Sequence, residues 1–256
     1  KGRMMAVSLK SIVKNRELGP PRILLYAPHG IGKTTFGAGA PKPIFIPTED
    51  GLGVLEVDHF PLAKTEGDVL DAVGSLYNDA HDYQSVVIDS LDWLDNMIWA
   101  DTNAKYDDKA LAYGKGAVIV AERWRVLLEG LNLLRNERGM AVILLAHCQI
   151  KRFDSPETEP YERYQPKLQE RSSALVQEWA DAVLFANFRT VVRREDVGFN
   201  KDVRRGITTG ERLLYTTEKP AYYAKNRYSL PDSLPLSWDA LSNAIAAAVT
   251  PAAEAA

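Results

Sequence analysis

The stretch Ala27-Pro28-His29-Gly30-Ile31-Gly32-Lys33-Thr34-Thr35 constrains this chain more than any other. An apolar run, Arg22–Tyr26, precedes it and reads as a buried strand, and a helix can start at Lys33. The pattern is that of a phosphate-binding loop, G-x-x-x-x-G-K-[ST], with Ala27 in place of the first glycine. Gly30 and Gly32 let the backbone turn its N–H groups inward around phosphate oxygens. The helix adds the positive end of its dipole. Lys33 can reach the β- and γ-phosphates, and the Thr34 hydroxyl can ligate Mg²⁺. We take Pro28, His29, Gly30, Ile31, Gly32, Lys33, Thr34 and Thr35 as the nucleotide-binding set.

The rest of the chain alternates short apolar runs with amphipathic stretches, the pattern of a parallel sheet covered by helices. Pro43–Ile46, Ser85–Asp89, Met140–Ala146 and Ala182–Phe188 read as further strands. Gly37, Gly39 and Pro41 are expected to stop the first helix early. Asp68–Tyr77 has a helical apolar face, as does the stripe Val120, Trp124, Leu127, Leu128, Leu131 and Leu134. Gln149–Arg171 is charged and aperiodic, so it is expected to be a loop. Val191–Tyr223 reads as an antiparallel extension, with Leu213–Thr217 and Ala221–Ala224 as short strands, and Trp238–Val249 as a closing helix. These elements predict one α/β domain over 20–249, an N-terminal segment 1–19 and a tail 250–256.

Composition narrows the setting. Apolar residues make up 46% and charged residues 25% of the 256, which excludes a disordered chain or a fibre. A single cysteine, Cys148, cannot bridge internally, and a reducing cytoplasm is the expected compartment. The longest apolar run, Met140–Ala146, is far below the roughly 20 residues of a membrane span. Charge is uneven: Glu49–Asp108 carries a net −13, whereas Arg189–Arg227 carries +5. That distribution suggests a localised anion-binding surface at the basic end.

Two carboxylates complete the nucleotide chemistry. Asp89 ends the strand Ser85–Asp89, and ligands in open α/β sheets bind at such carboxyl ends. It is positioned to hold Mg²⁺ through water. Glu49 follows the strand Pro43–Ile46 and could orient the attacking water as general base, with Asp50 as the neighbouring alternative.

Loop, acid after the next strand, strand plus Asp, and a polar residue ending a further strand together resemble the RecA-like ATPase core. The resemblance selects Glu49 as the catalytic acid. It makes His147, which ends Val142–Ala146, the sensor of the γ-phosphate, where the family has Gln or Asn. Narrower still, Leu24–Asp50, the SVVIDS strand, the LLAH strand end, Gln177–Leu184 and the KNR element resemble a phage-encoded RecA-like family that includes Sak-type single-strand annealing proteins. That likeness spans about residues 20–235.

The resemblance places DNA-binding loops at Asp101–Ala117, with Lys105 and Lys115, and after His147. The second contains Lys151, Arg152, Phe153, Arg163, Tyr164, Lys167 and Arg171, cations and aromatics of the kind single strands require. Five acids there offset the bases. Tyr223-Ala224-Lys225-Asn226-Arg227 resembles the K-x-R element of hexameric helicases, whose cations reach a neighbour's nucleotide. The expectation is an Mg²⁺-dependent ATPase, active as a homo-oligomeric ring or filament. It would bind single-stranded DNA and promote phage recombination by annealing, with a single-strand-binding protein as a further candidate partner. The rivals are a DnaB-like motor or loader and a scaffold whose assembly is gated by ATP.

Overall fold

The computed structural model describes Ile12, residues 19–196 and residues 202–249, with the backbone alone for 191–196, 202–208 and Val249. Most of the expected N-terminal segment and tail, and the side chains of Arg193, Arg194, Lys201, Arg204 and Arg205 from the basic region, lie outside the described residues.

The order of elements is β1 (Arg22–Ala27), α1 (Lys33–Ala38), β2 (Pro43–Pro47), β3 (Asp58–His59), α2 (Glu66–Asn78), β4 (Ser85–Asp89), α3 (Leu91–Lys105), α4 (Asp108–Leu111) and α5 (Lys115–Glu137). It continues with β5 (Ala141–Phe153), β6 (Tyr161–Pro166), α6 (Glu170–Trp179), β7 (Ala182–Asp196), β8 (Asp202–Tyr215), β9 (Lys225–Asn226), β10 (Ser233–Pro235) and α7 (Trp238–Val249). The sheet runs β10-β8-β7-β1-β5-β4-β2-β3. Its strands from β7 to β3 are parallel, and β8, β9 and β10 add antiparallel pairs, as the sequence pattern predicts.

Alternation along the central strands builds two cores. Leu24, Tyr26, Val86, Ile88, Val142 and Leu144 face α2, α3, α5 and α6. Ile23, Leu25, Val87, Ile143 and Leu145 face α1 and α7. Both faces are covered, which is why these strands read as continuous apolar runs. Trp124 of α5 is wholly buried, and its indole N–H donates to Asp95 Oδ1 at 2.8 Å, which removes the cost of an unpaired buried donor.

Several expectations need correction. Gln149–Arg171 is no loop: β5 continues to Phe153 and pairs antiparallel with β6, and α6 begins at Glu170. Charged residues are mixed with aromatics along this half-exposed ribbon, so no apolar period marks it. Ala221–Ala224 forms only isolated bridges at Tyr222, and the strand falls on Lys225–Asn226 instead. Asp101–Ala117 is largely helical, spanning the end of α3, all of α4 and the start of α5. The first helix does stop early, at Ala38 with Gly39 as its C-cap, but Gly37 lies inside it. A Cβ there would stand 2.9 Å from Val87, so glycine lets the helix settle closely on the sheet.

Candidate functional site

Register brings the expected residues to one end of the sheet. Ala27 pairs with His147, Pro47 with Asp89, and Asp89 with Leu145. The phosphate loop, Glu49, Asp89 and His147 therefore share the carboxyl edge of four neighbouring strands. Two bonds link Thr48 to Ser90: its hydroxyl accepts from Ser90 N at 2.7 Å and donates to Ser90 O at 2.6 Å. This buried pair fixes the end of β2 against the end of β4, and so Glu49 beside Asp89.

The loop has the expected geometry. Gly30 (φ 72°) and Gly32 (φ 107°) occupy the left-handed region, where a side chain would be strained. Gly32 caps α1, so the N–H groups of the first turn point outward at the strand ends. Lys33 is only 7% exposed, more buried than a cation lining a solvated crevice would be. It forms no ion pair within 4 Å among the described residues. Burial chiefly holds its ammonium below the ordinary lysine range, against the pull of Asp89 and Glu49.

Thr34 Oγ1 donates to Asp89 Oδ2 at 2.7 Å. Asp89 is buried, and desolvation raises its carboxyl above the usual range, partly offset by that hydroxyl. The described residues hold no cluster of three or more His, Cys, Asp or Glu able to enclose a metal. A hydroxyl and one carboxylate nevertheless suit Mg²⁺, which keeps waters and takes its other ligands from substrate phosphates. The residues present fit that ion.

Glu49 is partly buried and Asp50 exposed. Glu49 Oε1 lies 3.8 Å from His147 Nε2. His147 is buried, and both its backbone N–H (3.1 Å) and its Nδ1 (3.0 Å) meet Asp92 Oδ1. Burial acts to raise the Asp92 carboxyl, but the imidazole and backbone donors outweigh it and hold the group down at about 2. His29 stacks on His147 with centroids 4.0 Å apart. That neighbour, with burial and Lys33, keeps the His29 imidazole below the ordinary histidine range.

Asp92 and Thr48 are missing from the sequence-derived set. The signal for Asp92 is available: an acid in the first turn after the Asp89 strand, where a helix N-terminus favours negative charge. Asp92 also reaches the hairpin side, since Lys167 Nζ lies 3.8 Å from Oδ2 and Lys167 N donates to His147 O.

The expected DNA-binding residues divide into two groups. Lys151, Arg152, Lys167 and Arg171 are exposed, although Arg152 pairs with Asp154. Arg163 instead lies 3.9 Å above the Phe153 ring and pairs with Glu218 at 2.9 Å, with only 13% of its side chain exposed. Tyr164 stacks on Phe185, inside an aromatic group with Tyr26, Tyr215 and Tyr222. Lys105 pairs with Asp101 at 2.8 Å, and Lys115 is exposed at the start of α5.

The K-x-R residues lie at the opposite end of the sheet from the loop. Arg227 N donates to Asp181 O, just ahead of β7. Lys225 Nζ donates to the carbonyls of Gln177, Glu178 and Ala180 at 2.9–3.0 Å, closing the C-terminal end of α6. Arg227 is half exposed and approaches Asp181, which Arg22 already engages at 2.7 Å.

No helix among the described residues is long and apolar enough to cross a membrane. No curated protein matches the sequence. Among solved structures, the crystal structure of the RadB recombinase is similar with a TM-score of 0.47 and 15% identity, over 87% of this chain and 90% of that one. The family model for an AAA domain, AAA_24, matches residues 19–228. A phosphate loop, an Mg²⁺-compatible Thr–Asp pair and a match over that span agree, and the chain belongs to the AAA_24 family of AAA domains.

Proposed function

We propose that this protein is an Mg²⁺-dependent ATPase that binds single-stranded DNA and promotes strand annealing in recombination, working as a homo-oligomer. The observation that carries the reading is the convergence of Lys33, Thr34, Asp89, Glu49 and His147 at one sheet edge, with β5 running straight from His147 into the exposed β5–β6 hairpin.

In this reading the first-turn N–H groups of α1 and the Lys33 ammonium bind phosphate oxygens. Thr34 and Asp89 would hold Mg²⁺, whose charge offsets that of the phosphates. Glu49 accepts a proton from water aimed at the γ-phosphate. Asp92 fixes the His147 ring with Nδ1 donating, which leaves Nε2 turned toward Glu49 and the nucleotide. Movement at His147 is then felt at Lys167 and Gln149, whose amide donates to Pro166 O and Leu168 O at the hairpin root.

The deciding experiment measures ATP turnover, and then titrates single-stranded DNA with and without ATP and Mg²⁺ across a range of salt. DNA-stimulated turnover together with nucleotide-dependent DNA affinity is the expected result. Turnover indifferent to DNA would favour a scaffold gated by ATP, and strand displacement coupled to hydrolysis would favour a motor.

A further inference from the structure

We infer that the base of the nucleotide sits in the cavity between α1, β8 and the start of α7, and that Asp239 and Arg212 select it. The inference rests on the nucleotide-binding reading of the loop and concerns the part of the ligand that reading leaves unplaced.

The cavity is about 150 Å³ and continuous with the phosphate loop, since Gly32 and Thr35 form one wall. Ligand sites that enclose a whole molecule run to roughly 300–1,000 Å³. This one suits a single ring system whose polar remainder lies outside, on the loop.

Position fixes which part enters. Glu49, Asp89 and His147 come from β2, β4 and β5, all on one side of β1. The reacting end of the polyphosphate belongs there. Arg212 on β8 and Trp238 and Asp239 on α7 stand on the other side. A nucleotide laid across the α1 N-terminus with its γ-phosphate toward Glu49 therefore turns its base toward β8 and α7.

The lining has the chemistry of a base site. Phe36 and Trp238 meet edge to face at 5.8 Å and give an apolar floor, with Trp238 only 7% exposed. The Arg212 guanidinium lies 3.3 Å from where a Cβ on Gly32 would stand, so it overhangs the loop, and its plane can stack on a base. Asp239 is exposed at the rim. A carboxylate accepts only, so facing position 6 of a purine it accepts from the exocyclic amine of adenine and is repelled by the carbonyl oxygen that hypoxanthine carries there. Neither charged side chain is tied into an ion pair among the described residues.

The test is calorimetric titration of the full chain, with Mg²⁺, against ATP, ITP and inorganic tripolyphosphate. Wild type should bind ATP more tightly than ITP. Asp239→Ala should weaken ATP about 10-fold, the scale of one hydrogen bond to a charged group. It should also remove the preference over ITP and leave tripolyphosphate unchanged. Arg212→Ala should weaken ATP and ITP alike. Both positions are exposed, and thermal unfolding of the variants should match wild type. If both variants bind ATP as wild type does, while tripolyphosphate binding still depends on Lys33, the base lies elsewhere and the phosphate loop stands. If tripolyphosphate binding is absent or indifferent to Lys33→Ala, both readings fall.

Discussion

Thr34 donates its hydroxyl to Asp89 across 2.7 Å, joining the first turn of α1 to the end of β4. Asp89 is 4% exposed, and a buried carboxylate without a partner would be costly. The hydroxyl meets part of that cost in the protein alone. Mg²⁺ held by Thr34 and Asp89 would add positive charge there and favour the ionised carboxylate.

Lys33 tests the loop directly. Its ammonium is buried without an ion pair among the described residues, a desolvation cost that phosphates would relieve. Lys33→Met keeps the volume and removes the charge. Nucleotide binding and turnover should be lost, while the melting temperature without ligand should stay level or rise. A variant that hydrolyses ATP at the wild-type rate would overturn the assignment.

Glu49→Gln should slow hydrolysis by about 10²-fold or more while ATP still binds, the usual cost of losing a general base. Asp50→Asn should have little effect, because Asp50 is exposed. Single-turnover kinetics with both variants decides between the two carboxylates, and the reverse outcome would transfer the role to Asp50.

Asp92 holds His147, and its depressed carboxyl is a stability statement. Its ordinary value is 3.8 and its folded value about 2, so the gain is present above pH 4 and is lost as pH falls through about 2. The shift corresponds to about 2 kcal/mol at neutral pH. Asp92→Asn should lower the melting temperature at pH 7 by roughly 4–8 °C for a chain of this size. The gap from wild type should narrow steadily below pH 4. A gap independent of pH would mean that Asp92 acts by packing alone.

How much of this was legible depends on where each signal is recorded. The buried parallel strands and the phosphate loop announce themselves locally, through apolar runs and glycines at fixed offsets, and the structure has them as expected. The start of α2 is also written locally, since Thr65 and Asp68 form a reciprocal cap, yet the apolar stripe alone sets the boundary two residues late. The β5–β6 hairpin is invisible because the face it packs is built from Phe153, Arg163 and Tyr164, a mix of charged and aromatic side chains that gives no apolar period. The fate of individual cations was beyond reach for another reason. Arg163 and Arg152 look equivalent in sequence, but only Arg163 has Phe153 and Glu218 to pack against. Such long-range partners are set by the fold.

That division predicts two kinds of hairpin variant. Alanine at Lys151, Lys167 or Arg171 should weaken single-stranded DNA binding and flatten its salt dependence, by about 0.7 in logarithmic slope for each phosphate no longer neutralised. Stability should not change at Lys151 or Arg171, whose side chains are exposed, and should fall only slightly at Lys167, which also approaches Asp92. Arg163→Ala should instead lower stability by loosening Phe153 and Tyr223. Salt-series titrations beside thermal melts separate the two classes, and uniform behaviour across all four sites would refute the division.

The last prediction concerns Lys225 and Arg227, which the resemblance paired as fingers but which the protein uses differently. Lys225 gives its ammonium to three carbonyls at the end of α6, so Lys225→Ala should destabilise the fold and tell little about catalysis. Arg227 is half exposed and lies at the far end of the sheet from its own Lys33, where only another subunit's nucleotide could meet it. If it acts in trans, Arg227→Ala should cut turnover by roughly 10³-fold or more. Nucleotide affinity should fall far less, because the charge it meets grows mainly in the transition state. Asp181 keeps Arg22, so the fold should survive the change. Mixing is the decisive measurement. Lys33→Met subunits, inactive alone, should lend Arg227 to Arg227→Ala subunits and restore turnover where the two meet. Mixtures that give only the sum of their parts, under conditions of subunit exchange, would leave Arg227 as a partner of Asp181 and nothing more.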